Sequence, residues 1–149
     1  MSEPLKDQLF HRANVARVAS EIAAVHPCFE AEAFVEETVA RFPELELKQR
    51  IAWISGCLSR YLPGDFRAAV AVLVAALPPP CDPSKGDGDF GDFIYAPYSH
   101  FIAERGCRPE HVAFSLETLR EITTRFSAKD AIRPFLNRFP NETLEALQR

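Results

Sequence analysis

Apolar residues recur along this chain at the spacing of an α-helix, three or four positions apart. In the first helical stretch the recurring residues are Val15, Val18, Ile22 and Val25. In a later stretch they are Leu47, Ile51, Ile54 and Leu58. Side chains at this spacing lie on one face of a helix, so each set predicts an amphipathic helix with one buried face. No segment alternates convincingly with the period of two that a half-buried strand requires.

Proline, glycine and capping residues divide the pattern into successive helices. After a first helix that ends before Pro27, the predicted helices span approximately 30–41, 44–62, 65–77, 93–105, 109–126, 127–136 and 140–149. Asp65 is a typical N-cap, and the helix behind it has the widest apolar face, so we expect that helix to be the most buried element. Pro97 is expected to interrupt its helix, and Gly106 is expected to cap it.

Helices of this length joined by short breaks predict an all-α fold. Successive helix pairs are about 40 residues apart, which is typical of HEAT-like antiparallel pairs stacked as a short α-solenoid. A compact helical bundle is the alternative, because the pairs share little sequence. We expect residues 1–149 to form a single helical-repeat domain, with a flexible loop at about 78–92, where Pro, Gly and Asp are frequent. That loop lacks the ligand spacing of a calcium site.

The last predicted helix lacks the polar face that would close a stack of repeats. Leu144 and Leu147 are apolar positions in that helix, and no polar capping pattern accompanies them. The pattern predicts that the array continues, either in further chain or in a partner, and a second copy of this chain is one candidate for the partner.

Composition and charge narrow the function. The net charge of -4 argues against a protein that coats nucleic acid nonspecifically. Residues 108–149, however, contain seven Lys or Arg against six Asp or Glu, so an anionic partner would meet the C-terminal third. We expect a cytoplasmic protein without a membrane segment, because no apolar run is long enough and the N-terminus has no signal pattern. The four cysteines have no metal-ligand spacing and are expected to be free thiols.

The densest chemistry lies between Leu119 and Leu136. Glu121 and Asp130 lie on either side of a predicted helix junction at Ser127, and Arg125 and Arg133 lie nearby. A carboxylate near arginines stays ionised and can stabilise a developing cation, whereas arginines can contact phosphates. A purely structural interpretation stays open, since Glu121 and Arg125 have the spacing of a helical ion pair and Ser127 and Asp130 that of a capping box.

Four segments, in this order along the chain, resemble a known family. They are Glu3–Asp7, Leu45–Arg50, Tyr61–Phe66, and Thr123–Ala128 followed by Ala131–Leu136. The chain resembles the AlkC-type branch of the bacterial alkylpurine DNA glycosylases, which are HEAT-like-repeat proteins of DNA alkylation repair.

This resemblance implies hydrolysis of the N-glycosidic bond of cationic N3-methylated bases in DNA, without a metal or other cofactor. The implied partner is double-stranded DNA that contains methylated bases. The predicted catalytic residues are Glu121 and Asp130. The predicted DNA-binding residues are Arg125, Lys129, Arg133 and Arg138.

The chain departs from the family pattern at two neighbouring positions of this segment. Relatives carry an acidic residue and then an aromatic one after Arg-Phe-Ser-Ala, where this chain has Lys129 and Asp130. The carboxylate has either moved one position, about 100° around the helix, or been lost. Relatives also continue with further repeats, which include another catalytic carboxylate. The alternative function is therefore a non-catalytic helical-repeat scaffold that binds DNA or protein.

Overall fold

The computed structural model describes residues 5–77, 94–123 and 129–147, and the regular elements in these ranges are helices. A 3-10 turn at Phe42–Glu44 separates the third and fourth α-helices. The α-helices are α1 Leu5–Leu9, α2 Arg12–Val25, α3 Ala31–Ala40, α4 Leu47–Tyr61, α5 Phe66–Ala76, α6 Ala96–Gly106, α7 Val112–Thr123, α8 Lys129–Arg138 and α9 Pro140–Leu147. None of these helices is long and apolar enough to cross a membrane. The predicted loop at about 78–92 and the junction at 124–128 lie outside the described residues.

The helices form two stacked layers. In one layer α3 packs on α4, α4 on α6, and α6 on α8. In the other layer α2 packs on α5 and α7 on α9, while the rings of Phe66 and Phe114, 6.0 Å apart, join α5 to α7. The all-α class and the stacked antiparallel pairs that the sequence predicted are therefore confirmed.

The most buried helix is α6, and the expectation that α5 would hold this position was wrong. Seven of the eleven residues of α6 are buried, because this helix packs against α4, α5, α7 and α8. In α5, by contrast, Ala68, Ala71 and Ala75 are exposed. Alanine widens the apolar face of a helix in sequence, but it is small enough to remain on the surface, and the apolar pattern alone overstated the burial of α5.

Several helix ends differ from the sequence prediction for local reasons. Helix α4 begins three residues later than expected, because a capping box formed by Glu46 and Gln49 fixes its start. Pro97 lies in the first turn of α6, where its missing N–H is not needed, so it does not interrupt the helix. Val25 is 44% exposed and does not share the buried face of α2. Asp65 caps α5 as predicted, since its side chain accepts a hydrogen bond from Ala68 N at 2.9 Å.

Gly106 is the last residue of α6 rather than its cap, and close packing explains why it is glycine. A Cβ atom at this position would collide with the hydroxyl of Ser115 and the ring of Phe66. The Ser115 hydroxyl donates to the Gly106 carbonyl at 3.0 Å, so α6 and α7 approach each other at this point.

A buried arginine fastens the N-terminal end of the stack. The guanidinium of Arg50 is almost fully buried and donates to the carbonyls of Lys6, Phe10, Phe42 and Leu45 at 2.7 to 3.2 Å. Asp7 supplies the counter-charge, 2.9 Å from Nη1. Arg50 thus joins α1 to the turn before α4 and to α4 itself.

Candidate nucleic-acid interface

The predicted carboxylates belong to two consecutive helices. Glu121 is exposed and lies two residues before the end of α7. The backbone positions of Lys129 and Asp130 form the start of α8, and their side chains lie outside the described set, as does the whole of Arg125. Because consecutive paired helices run antiparallel, the end of α7 and the start of α8 lie at the same end of the stack. The fold therefore keeps the two carboxylate positions in one region.

The two predicted arginines of α8 differ in what they contact. Arg133 is exposed. Arg138 donates from Nη1 to the carbonyl of Cys107 at 3.0 Å, and its guanidinium lies 5.8 Å from the ring centre of Phe139. A separation of five residues turns Arg138 about 140° around the helix from Arg133. Arg138 therefore ties α8 to the connection between α6 and α7, and the two arginines do not form one cluster.

Positive charge is concentrated on three neighbouring helices of one layer. Helices α4, α6 and α8 together contain seven Lys or Arg against two Asp or Glu. Helix α3 of the same layer contains three Glu and no Lys or Arg, and helices α2, α5, α7 and α9 of the other layer contain four Lys or Arg against five Asp or Glu. We call the outer surface of α4, α6 and α8 the basic face. An asymmetry of this kind within a chain of net charge -4 is typical of a protein that meets a polyanion on one side.

The residues of the basic face leave room for an extended ligand. On α4 the exposed side chains include Lys48 and the small residues Ala52 and Ser59. On α8, Arg133 and Asn137 are exposed one helical turn apart. Small and polar side chains between separated cations allow a sugar-phosphate backbone to approach closely.

On α6 the basic face carries His100, Glu104 and Arg105. His100 Nδ1 lies 3.4 Å from the nearer carboxylate oxygen of Glu104, and Arg105 Nη1 lies 3.5 Å from the same oxygen. Burial lowers the pKa of the His100 imidazole below its ordinary value, and Arg105 acts in the same direction while Glu104 opposes it. The imidazole is therefore mainly neutral at pH 7, and Arg105 supplies the positive charge of this helix.

At the edge of the basic face an indole ring lies between two arginines. The guanidinium carbons of Arg41 and Arg60 are 4.8 and 5.7 Å from the ring centre of Trp53, whose Nε1 donates to Thr38 O at 2.9 Å. Both arginines are paired with glutamates of the same region, Arg60 directly with Glu37. Their charges are thus neutralised locally, and this cluster fastens α3 to α4.

An open groove near α1 is also rich in cations, but its charges are already engaged. Lys6, Arg12 and Arg50 line it together with His11. Lys6 pairs with Glu46 at 3.1 Å, Arg12 with Glu36 at 2.6 Å, and Arg50 with Asp7. Among the described residues no group of three or more His, Cys, Asp or Glu is arranged to hold a metal ion.

The sequence placed the candidate site in the segment around α7 and α8 and did not include α4 or α6. Lys48 and Arg105 are isolated in the sequence, and the packing of α4 on α6 makes their helices neighbours. A net charge counted separately for each predicted helix could have indicated α4, which contains three cations and no acid.

Comparison with known proteins gives a structural match over nearly the whole chain. No protein-family model and no curated protein matches the chain. Among solved structures, the chain is similar to the alkylpurine DNA glycosylase AlkC of Pseudomonas fluorescens, solved bound to DNA containing an abasic site analog. The TM-score is 0.79 and the sequence identity 28%, over 99% of this chain and 38% of the AlkC chain. The chain therefore has an AlkC-like fold and spans about two fifths of that protein's length.

Proposed function

We propose that this protein binds double-stranded DNA through its basic face and acts in DNA alkylation repair. The observation that carries the proposal is the similarity of nearly the whole chain to a DNA-bound AlkC. The charge distribution supports it independently, because α4, α6 and α8 concentrate the cations that could neutralise backbone phosphates.

The chemistry we propose is hydrolysis of the bond between deoxyribose and a cationic N3-methylated base. The base leaves with the electron pair of the glycosidic bond and becomes neutral, water forms the new bond to the sugar carbon, and solvent takes the water's proton. A carboxylate beside the sugar would stabilise the cationic transition state. We assign this role to Glu121 and Asp130, with Arg125, Lys129 and Arg133 as phosphate contacts and with Arg138 also anchoring α8.

The binding part of the proposal can be tested by fluorescence anisotropy with a labelled duplex at several salt concentrations. Lys48→Gln combined with Arg133→Gln should weaken binding and reduce the slope of log affinity against log salt by about two, because each substitution removes one cation that neutralises a phosphate. The matched control is Arg12→Gln combined with Arg17→Gln, two exposed arginines of α2, which should leave both quantities near the wild type. Equal effects of the two pairs on affinity would refute the basic face as the DNA-binding surface.

The catalytic part has its own assay, the release of methylated bases from alkylated duplex DNA. The wild-type chain should release 3-methyladenine, and Asp130→Asn and Glu121→Gln should reduce the rate while leaving DNA affinity within about twofold, because neither carboxylate attracts phosphate. DNA binding without any base release by the wild type would reject the hydrolase hypothesis and favour a non-catalytic scaffold.

A second candidate function is a scaffold that binds protein, and exposed leucines favour it. Leu136, Leu144 and Leu147 are 37, 50 and 57% exposed on α8 and α9. Helix α8 has three basic residues against one acidic, whereas α9 has two acidic and none basic. A second copy rotated so that its α9 lies against α8 would pair these opposite charges twice and cover the leucines of both chains.

Self-association of this kind would be visible in light scattering after size exclusion over a range of protein concentrations. The wild type should approach a dimer at high concentration, and Leu144→Glu with Leu147→Glu should stay monomeric. The control is Val25→Glu, which charges an exposed apolar residue at the other end of the stack and should still dimerise. A wild type that stays monomeric throughout would reject the homodimer.

A further inference from the structure

We infer, on the basis of the DNA-binding function proposed above, that Arg105 is a pre-ordered contact for a DNA backbone phosphate. This residue lies near the end of α6, the central helix of the basic face. It was not among the residues that the sequence indicated.

Three contacts hold the guanidinium in place before any ligand arrives. Nη1 donates to the hydroxyl of Ser55 on α4 at 3.2 Å, and the guanidinium carbon lies 4.6 Å from the ring centre of Phe101. Ser55 and Phe101 are both buried, so they form a fixed support. The third contact is the exposed carboxylate of Glu104, 3.5 Å away. The side chain of Arg105 itself remains 29% exposed.

The orientation leaves the hydrogen-bonding edge of the guanidinium available. The contacts to Ser55 and Glu104 both use Nη1. Within the described part of the chain, Nε and Nη2 have no hydrogen-bond acceptor. These two nitrogens form the planar fork that binds two oxygens of a phosphate at once. A side chain already restricted by stacking loses less rotamer freedom on binding than a fully mobile one.

Three other cations of α4 and α8 are committed to protein groups. Arg50 is buried with four carbonyls, Arg60 pairs with Glu37, and Arg138 donates to Cys107 O. Among the described residues, Arg105 has a single acidic neighbour, Glu104, whose side chain is 56% exposed and screened by water. A phosphate would compete directly with this carboxylate for the guanidinium.

The competition makes the inference specific, because removing the acid should have the opposite effect from removing the base. Arg105→Gln should weaken duplex binding about fivefold to tenfold and reduce the salt slope by about one. Glu104→Gln should tighten binding about twofold to threefold, since it removes both a competitor and a repulsive charge.

Two further variants separate a phosphate contact from a structural tie. Arg105→Lys keeps the charge but loses the fork, so the salt slope should stay at the wild-type value while affinity falls severalfold. Ser55→Ala frees Nη1 and should weaken binding about twofold without changing the slope. The control Arg17→Gln should leave affinity and slope unchanged. Thermal unfolding by circular dichroism identifies any variant that does not fold, and Glu104→Gln and Arg105→Lys still decide the question if Arg105→Gln is one of them.

The measurement is fluorescence anisotropy of the full chain with an unmodified duplex. Equal affinity and slope for Arg105→Gln and Arg17→Gln, or weaker binding by Glu104→Gln, would overturn the role of Arg105. If such a result is found while the wild type binds DNA and Lys48→Gln combined with Arg133→Gln weakens binding, only the role of Arg105 is rejected. The basic face then remains the proposed DNA-binding surface. A wild type without affinity for DNA would overturn both.

Discussion

Replacement of Arg50 by methionine should be among the most destabilising substitutions that the structure predicts. The guanidinium donates to four backbone carbonyls and pairs with Asp7, all at the N-terminal end of the stack. Methionine has a similar length and keeps the packing of the stem, but it has no donor. The change therefore isolates the hydrogen bonds and the charge from the volume of the side chain.

The expected loss of unfolding free energy depends on which hydrogen bonds and solvent contacts each partner of Arg50 keeps after the substitution. Breaking a buried charge pair typically costs about 3–5 kcal/mol. Two partners are partly compensated, because Lys6 O and Phe42 O also accept backbone bonds from Phe10 N and Leu45 N. Asp7 is 42% exposed and can be solvated. We therefore expect a loss at the lower end of this range, about 3 kcal/mol. A loss of this size lowers the Tm of a chain of this length by about 10 °C.

Urea unfolding followed by circular dichroism at 222 nm and by the fluorescence of Trp53 measures this loss. Arg50→Lys keeps a charge with three donors and should lose less than Arg50→Met. Arg12→Met, which removes an exposed cation from its pair with Glu36, should unfold at the same urea concentration as the wild type. A loss below about 1 kcal/mol for Arg50→Met would refute the reasoning, because it is no more than a single ordinary hydrogen bond contributes.

Three further predictions concern residues of α6. Tyr98→Phe should leave the free energy of unfolding unchanged or raise it by up to about 1 kcal/mol, because the buried hydroxyl of Tyr98 has no partner in the described structure; a clear loss in urea unfolding would contradict this. The lowered pKa of His100 means that the unfolded chain binds a proton more readily, so stability should fall as the pH drops below the ordinary value of 6.5. His100→Gln should flatten that part of a pH series of unfolding curves, and an unchanged slope would exclude His100 as its source. Gly106→Ala should lose about 1–3 kcal/mol in urea unfolding, because the new methyl group meets Ser115, and a loss near zero would show that α7 can move away.

Much of the fold could be predicted from the sequence because helix periodicity and capping are local. Asp65 begins its helix through a contact three residues away, and the sequence predicted it. The capping box of Glu46 and Gln49 is equally local, but the sequence prediction missed it and began the helix three residues early. Arg50 is different, since its partners include Lys6 and Phe10, some forty residues away, and an arginine on a helix gives no sign of burial. The structure alone reveals this position as a link between α1 and α4.

In the candidate site, too, local features could be predicted from the sequence, whereas contacts between distant residues could not. Glu121 and Asp130 could be paired from sequence because a single short junction separates their helices, and their catalytic role remains a prediction. The basic face required knowledge that α4, α6 and α8 are neighbours, which depends on which pair stacks on which. Arg105 could not be predicted as a candidate from the sequence, because Ser55, which holds its guanidinium, lies fifty residues earlier in the chain.

The first and the last helices that the structure describes differ in how they are held, and this difference affects local opening. At the N-terminal end Arg50 binds α1 against α4, so opening there requires several bonds to break together. At the other end α8 and α9 pack mainly on α6, α7 and each other, and Pro134 removes one backbone bond within α8. Local opening should therefore begin at α8 and α9, and their amide protons should exchange with solvent before those of α4. The backbone position of Asp130 at the start of α8 therefore belongs to a unit that opens more readily than α4, so this position can change its surroundings without unfolding the N-terminal helices.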